Sequence, residues 1–376
     1  MGQRLLTVTH FFPAHGGGVE LVAGHLVQSF ASHGVAVEWF SSDTDPPPGP
    51  TPNQVVVPVP ALNIIERLTQ LPYPLWLPTA WPSLWRAIGR AEVVHVHELL
   101  YCGSLLAVLM ARLRRRPLVI TQHTGSIGLQ RRCAAWLYAM IVKLLGRAVF
   151  RVATHAIFIS ANVRGFFNLE NDPRAHLIYN GIDTELFTLD ADQQQARVKI
   201  GLPADKQVVL FVGRFIRKKG LPILQALAPR FPQVLWLLVG SGPEDPAQWG
   251  CSNVRVAGRV AHAHLADYYR AADLLLLPSS SEGFPLVVQE ALACGLGVLS
   301  TEEVANACPP ARDMIRTQPT PRADDGVRGW ERALRETLAD GTYLEAREPR
   351  ARRARELWSW NRCASEYLPL FDELTQ

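Results

Sequence analysis

Short apolar, β-branched runs recur along the chain and alternate with longer stretches whose apolar residues are spaced for helices. Leu5 to His10, Ala36 to Phe40, Val93 to His97, Leu118 to Gln122 and Ala156 to Ser160 predict strands, separated by helical stretches such as Val19 to Ser32. This alternation marks βαβ units and a parallel sheet. The pattern pauses at Asn180-Gly181-Ile182-Asp183, where a polar run through Asp190, Asp192 and Gln193 to Gln195 predicts a turn and a linker. It restarts with Val208 to Val212, Val234 to Val239, Val254 to Ala257, Leu274 to Leu277 and Gly297 to Ser300. The expected class is therefore α/β, with two Rossmann-like lobes: a first domain over residues 1–190 and a second over 191–357, with an amphipathic helix over 358–376 crossing back to the first. Doubly wound sheets hold ligands at the carboxyl ends of their strands, so the expectation is two lobes facing each other across a central cleft.

A length of 376 residues suits two such domains, and 48% hydrophobic with 19% charged residues is the balance of a folded chain, which excludes disorder. The formal net charge of +4 gives no reason to invoke nucleic acid. The charge is unevenly spread, however: Arg112, Arg114, Arg115, Arg116, Arg131, Arg132, Lys143, Arg147 and Arg151 fall in a window without Asp or Glu. Six cysteines, at 102, 133, 251, 294, 308 and 363, lack Cys-x-x-Cys spacing and read as reduced thiols of a cytoplasmic protein. Met1 to His10 suits a first strand better than a signal peptide, and no uncharged apolar run reaches the roughly 18 residues of a transmembrane helix. The expected protein is soluble or peripheral.

Candidate chemistry sits where predicted strands end. His10-Phe11-Phe12-Pro13 runs into Gly16-Gly17-Gly18 before a helix, so bare amides can approach an anionic ligand at a helix N-terminus; the same turn serves equally as plain structure, and its spacing is not Gly-x-Gly-x-x-Gly. Phe211-Val212-Gly213-Arg214 and Lys218-Lys219-Gly220 place cations past a strand end where a pyrophosphate could lie. Arg214 and Lys219 are favoured for that clamp, whereas Arg217 and Lys218 read as solvated loop residues. Glu282 lies on a loop and Glu290 one to two turns into the following helix, so the two carboxylates can serve a ligand carrying several hydroxyls. Glu290 stands among Leu286, Val287, Val288, Ala291 and Leu292, where an unpaired carboxylate is costly.

The run Glu282-Gly283-Phe284-Pro285-Leu286-Val287-Val288-Gln289-Glu290-Ala291-Leu292-Ala293-Cys294-Gly295 closely resembles the Glu-x7-Glu signature of retaining glycosyltransferases of family four. Tyr179 to Asp183 with Phe187, Gly213-Arg214 with Lys219-Gly220, Val239 to Pro243, and Ala271-Ala272-Asp273 leading to Pro278-Ser279 agree in order, and the resemblance spans roughly residues 5 to 300. It implies the GT-B fold and a metal-independent enzyme that needs no cofactor, with a nucleotide-sugar, expected to be a UDP-sugar, as substrate. By the same resemblance Arg214 and Lys219 hold the donor pyrophosphate, Glu290 the ribose and Glu282 the transferred sugar. The backbone of Gly283, Phe284, Pro285 and Leu286 assists, Gly17 and Gly18 lie near the phosphates or sugar, and Gly258 to Val260 line the nucleobase. His123, at the end of the strand Leu118 to Gln122, matches the active-site histidine facing the reacting sugar carbon. The implied catalytic set is His123, Glu282, Arg214 and Lys219. Departure of the diphosphate would be eased by the cations, with front-side entry of an acceptor hydroxyl on a glycan or lipid-linked glycan.

Other patterns are discounted. Asp43-Thr44-Asp45 reads as a solvated loop, and His95-Val96-His97 and His262-Ala263-His264 lack a third ligand in sequence, so no metal is expected. The helix following Gly128, with Arg131, Arg132, Trp136, Tyr138, Lys143 and Arg147, reads equally as an ordinary packed helix with a basic outer face and as one lying on the anionic inner face of a membrane. Gly297 stands where the family commonly has proline, and Thr301 to Arg322 lacks the family's usual glycine and glutamate. A phosphorylase or epimerase on this architecture, or a catalytically silent nucleotide-sugar-binding or scaffold protein, is the alternative.

Overall fold

The computed structural model describes residues 3–69, 72–125, 132–189, 192–280, 282–283, 285–320 and 326–375. Phe284, Ser281, Gly128, Arg131 and Asp190 lie outside them. The chain forms two compact units, one of Met1–Gly181 with Trp360–Gln376 and the other of Ile182–Ser359.

Unit 1 is built on strands β1 (Arg4–Val8), β2 (Ala36–Ser42), β3 (Gln54–Val59), β6 (Val93–His97), β7 (Leu118–Gln122), β8 (His155–Phe158) and β9 (Ala175–Leu177), with a short antiparallel pair β4 (Ala61–Leu62) and β5 (Leu75–Trp76) beside them. The main sheet is parallel with order β3-β2-β1-β6-β7-β8-β9. Helices α1 (Gly18–Ser32), α2 (Trp81–Arg90), α3 (Cys102–Leu113), α4 (Arg132–Val152) and, from the far end of the chain, a helix over Trp360–Glu373 cover it. Because the sheet is covered on both faces, β6 and β7 are buried at every position. Their alternation still sorts the faces: Val94, Val96 and Ile120 join the core under α2, α3 and α4. His95 points the other way, toward Phe30 of α1 and toward Tyr367 and Phe371.

Unit 2 repeats the plan with β10 (Val208–Val212), β11 (Leu235–Val239), β12 (Val254–Gly258), β13 (Leu274–Leu277), β14 (Gly297–Thr301) and β15 (Ile315–Gln318), parallel in the order β12-β11-β10-β13-β14-β15. Helices α5 (Leu221–Leu227), α6 (His262–Ala271), α7 (Leu286–Ala293) and α8 (Arg347–Trp358) belong to it, and the returning helix Trp360–Glu373 of unit 1 is α9. Strands β10 and β13 read Val-Val-Leu-Phe-Val and Leu-Leu-Leu-Leu and are wholly buried.

The division between the units corrects the expected boundary, since residues 182–189 belong to unit 2 rather than to the first domain. Phe187 is fully buried against the rings of His262 and Tyr269, and Arg270 donates to the carbonyls of Leu186 at 2.7 Å and Thr188 at 2.8 Å. The returning stretch also divides: Trp358 closes α8 in unit 2, Ser359 is extended, and α9 starts at Trp360. There α9 packs along α1, with the Phe30 and Phe371 rings 5.2 Å apart.

Candidate active site

Strand order reverses beside β10 in unit 2, where β11 and β13 lie on either side, and chain leaving the carboxyl ends of two such adjacent strands diverges to open a crevice. Two segments meet there. Residues 213–220 follow β10, and 278–285 follow β13. They are tied by the Ser280 amide, which donates to the Lys218 carbonyl at 3.0 Å, and by the Ser279 and Ser280 hydroxyls, which donate to the same oxygen. Gly220 makes this approach feasible: its φ is +87° and a Cβ would stand 2.4 Å from the Pro278 carbonyl oxygen. On the other side a Cβ at Gly240 would meet the Gly213 oxygen at 1.9 Å.

On this scaffold Lys219 Nζ lies 2.5 Å from Glu282 Oε1, which also accepts from the Ser279 hydroxyl. Lys218, expected to be solvated, is half-buried. Burial lowers its ammonium pKa, opposed by the charges of Glu282 and Glu303 and reinforced by Lys219 and Arg214. Arg214 is exposed and has no acidic partner among the described residues. Three cations thus face two carboxylates, a balance that favours an anionic ligand.

Glu290 sits on α7 and is only 4% exposed. Its Oε2 accepts from the Tyr269 hydroxyl at 2.7 Å, and its Oε1 is 3.2 Å from His262 Nε2. Tyr269 and His262 are seven residues apart on α6, hence on one face two turns apart. The hydrogen bond to Glu290 raises the His262 pKa, against burial. Each carboxylate oxygen keeps a lone pair for a further donor, so Glu290 can still accept from a vicinal diol. Neither Tyr269 nor His262 was predicted for this role, since only the fold brings α6 to α7. Gly258 has a φ of +71° with open space at its Cβ position, Val260 is half-buried, and Gly283, Pro285 and Leu286 precede or begin α7 without a capping side chain.

In unit 1 the strand order reverses beside β1, and the ends of β1, β6 and β7 gather buried polar groups. His10 Nε2 pairs with Glu20 Oε1 at 2.8 Å, and the Tyr101 ring stacks on His10 at 3.7 Å. Burial works against the charge on Glu20, yet the hydrogen bond and charge of His10 bring its pKa below the ordinary carboxylate value. Gly17 caps α1, and a Cβ there would lie 2.1 Å from Glu20 Oε2, so the room it leaves is used by the helix's own first-turn carboxylate; Gly18 is open. His123 is buried, with Nε2 3.0 Å from His97 Nδ1. Burial, with the charge of His10, pushes its pKa down to about 3, so the imidazole is neutral at physiological pH.

Sequence reasoning also missed Glu98. This buried residue holds φ at +61° and turns its carboxylate onto the exit of β7. Its Oε1 accepts from the amides of His123 at 2.9 Å and Thr124 at 2.6 Å, and its Oε2 accepts from Gln122 Nε2 at 2.7 Å and the Thr124 hydroxyl at 3.2 Å.

Two family models match: Glycosyltransferase Family 4 over residues 16–186 and Glycosyl transferases group 1 over residues 206–340. The chain is 32% identical over 321 residues to D-inositol 3-phosphate glycosyltransferase 1 of Catenulispora acidiphila, covering 76% of this chain and 74% of that one. The chain belongs to the group 1 glycosyltransferases. A second relative of this glycosyltransferase, the D-inositol 3-phosphate glycosyltransferase of Mycobacteroides abscessus, is 31% identical and covers 86% of this chain and 77% of its own. Among solved structures, sucrose-phosphate synthase of Thermosynechococcus elongatus superposes with a TM-score of 0.76 at 21% identity, covering 99% of both chains. An Anabaena protein crystallised with UDP superposes at 0.72 and 16% identity, covering 99% of this chain and all of that one. These likenesses establish the GT-B fold of the glycosyltransferase. Its residues Lys219, Glu282 and Ser279 form one cluster and Glu290, Tyr269 and His262 another, both in unit 2, while His123 lies with His97 and Glu98 in unit 1.

Proposed function

We propose that this glycosyltransferase moves a sugar from a UDP-sugar to a hydroxyl of a glycan or lipid-linked glycan in the cytoplasm, retaining anomeric configuration and needing no metal. The observation that carries the donor assignment is the cationic cluster of Arg214, Lys218 and Lys219 against Glu282 at the ends of β10 and β13. Arg214 and Lys219 hold the pyrophosphate and neutralise charge growing on the departing diphosphate. Glu282, held beside Lys219 Nζ, accepts from hydroxyls of the transferred sugar. Glu290, fixed by Tyr269 and His262, accepts from the ribose hydroxyls, and Gly258 to Val260, Gly283, Phe284, Pro285 and Leu286 supply backbone contacts. Gly17 and Gly18 approach the donor at the start of α1. His123, being neutral, contributes a hydrogen bond toward the reacting sugar rather than a charge. The names of the relatives add D-inositol 3-phosphate to the acceptors to be screened.

Thermal unfolding with UDP, GDP, ADP and their sugar conjugates in chelator tests the donor assignment, because a ligand that binds only the native state raises apparent stability. UDP is expected to raise the midpoint. Arg214→Ala is expected to abolish that shift, and Glu290→Ala to weaken binding by about 1–3 kcal/mol through loss of a charged acceptor. A shift that survives in both variants would remove the donor site from this part of unit 2.

A further inference from the structure

We propose that the outer face of α3 and α4 in unit 1 docks on the surface of an anionic lipid bilayer. Helix α4 turns Val142, Val149 and Phe150 into the core and seats Gly146 on the Phe167 ring, where a Cβ would come within 2.6 Å. Its opposite face carries Trp136, Leu137, Met140, Ile141 and Leu144, spaced as neighbouring positions of one helical stripe. All five are exposed, Trp136 at 67% and Leu144 at 70%. Leu109 and Leu113, one turn apart on α3, are exposed at 56% and 63%. An exposed apolar stripe of this kind along one helix of a folded protein marks a surface with a partner.

Charge identifies the partner. The exposed stripe of α4 continues through Arg147 and Arg151, and at that end Arg112, Arg115, Arg116 and Arg151 line a pocket of about 320 Å³. Arg112, Arg115 and Arg151 have no acidic partner among the described residues. The nearby Asp172 is engaged by Arg174, which also reaches the Arg151 carbonyl. From Leu99 to Leu169 the sequence has ten Lys and Arg and no Asp or Glu. Such a face offers a second copy of itself no acid, whereas a bilayer of anionic phospholipids offers phosphates to the guanidinium groups and an apolar boundary to the stripe. At 21 residues, α4 is about 31 Å long and lies along the surface. No helix among the described residues is long and apolar enough to cross a membrane.

Co-sedimentation of the full chain with vesicles tests this directly and requires no transferase activity. Binding is expected to vesicles of phosphatidylcholine with phosphatidylglycerol, not to phosphatidylcholine alone, and to weaken in 1 M salt, where screening acts beyond about 3 Å. Leu144→Glu and, separately, Arg112→Gln with Arg151→Gln should each lower the partition about tenfold, because one removes apolar burial and the other charge. Neither should move the thermal midpoint in solution, since these side chains are exposed. Absence of binding to the mixed vesicles, or equal binding by wild type and Leu144→Glu, overturns the assignment. So does a solution dimer that Leu144→Glu dissolves without any vesicle binding, which would make a second copy the occupant.

Discussion

Gly220→Ala is expected to lower the thermal midpoint of unit 2 by roughly 5–15 °C and to abolish stabilisation by UDP. Its φ of +87° is unfavourable for any residue with a Cβ, and the added carbon would stand 2.4 Å from the Pro278 oxygen and 2.5 Å from the Pro278 ring. The left-handed conformation costs about 1–2 kcal/mol. Relief of the backbone clash brings the total to about 2–4 kcal/mol, because Pro278 is backbone at a buried strand end and cannot swing aside. The segment that must retreat carries Lys218 and Lys219, while Pro278 leads directly to Ser279 and Glu282. Ligand binding therefore fails along with stability. If the variant melts with the wild type and still responds to UDP, the tight approach of the two segments is unnecessary.

Glu98→Ala should cost about 2–6 kcal/mol, since the amides of His123 and Thr124 would lose their acceptor and a buried unsatisfied donor costs about 1–3 kcal/mol. Transfer should slow by about tenfold or more as the exit of β7 loses its fixed direction and His123 its aim. Glu98→Gln keeps an oxygen for the two amides and should recover much of the stability. The same carboxyl gives a pH signature. Burial pushes it up from 4.5 to about 7, opposed by hydrogen bonds from His123, Thr124 and Gln122. A raised carboxyl pKa means that the native state holds the proton more tightly. The associated stability, about 3 kcal/mol, is present in full below pH 4.5 and lost as pH rises through 7. Denaturant unfolding across pH 4–8 should show that decline in the wild type and a flatter profile in Glu98→Gln; parallel profiles would mean Glu98 does not titrate there.

Strands buried on both faces were legible because burial forces continuous apolar runs: Val93–His97, Leu118–Gln122, Val208–Val212 and Leu274–Leu277 fall where the sequence predicts them. The strands not read are marginal ones. Gln54–Val59 is an edge strand with Val55 largely exposed and a proline inside it, Ala175–Leu177 has three residues, and Ile315–Gln318 buries only its first. The last two show no apolar run, because water covers part of each, whereas Val55-Val56-Val57-Pro58-Val59 is such a run whose proline, tolerated at a sheet edge, argues against a strand. At the candidate site, Lys219 and Glu282 were found through local motifs at strand ends. Tyr269, His262 and Glu98 were not, because each acts on a residue more than 20 positions away and its own neighbours announce nothing. Glu98 left one trace, the last acid before a long stretch without any. Its left-handed backbone is invisible in sequence.

The return of the chain from unit 2 into α9 sets an order on synthesis. Unit 2 is an uninterrupted segment whose two ends are joined by the bridge between Ile182 and Ser359, with the Ile182 amide donating to the Trp358 carbonyl at 2.6 Å. It can close on itself as soon as it leaves the ribosome. Unit 1, although begun first, must wait with Phe30 and His95 uncovered until Tyr367 and Phe371 arrive. The nascent first unit is thus the part most dependent on chaperones, and a stop codon shortly before Trp360 would strand it in that state.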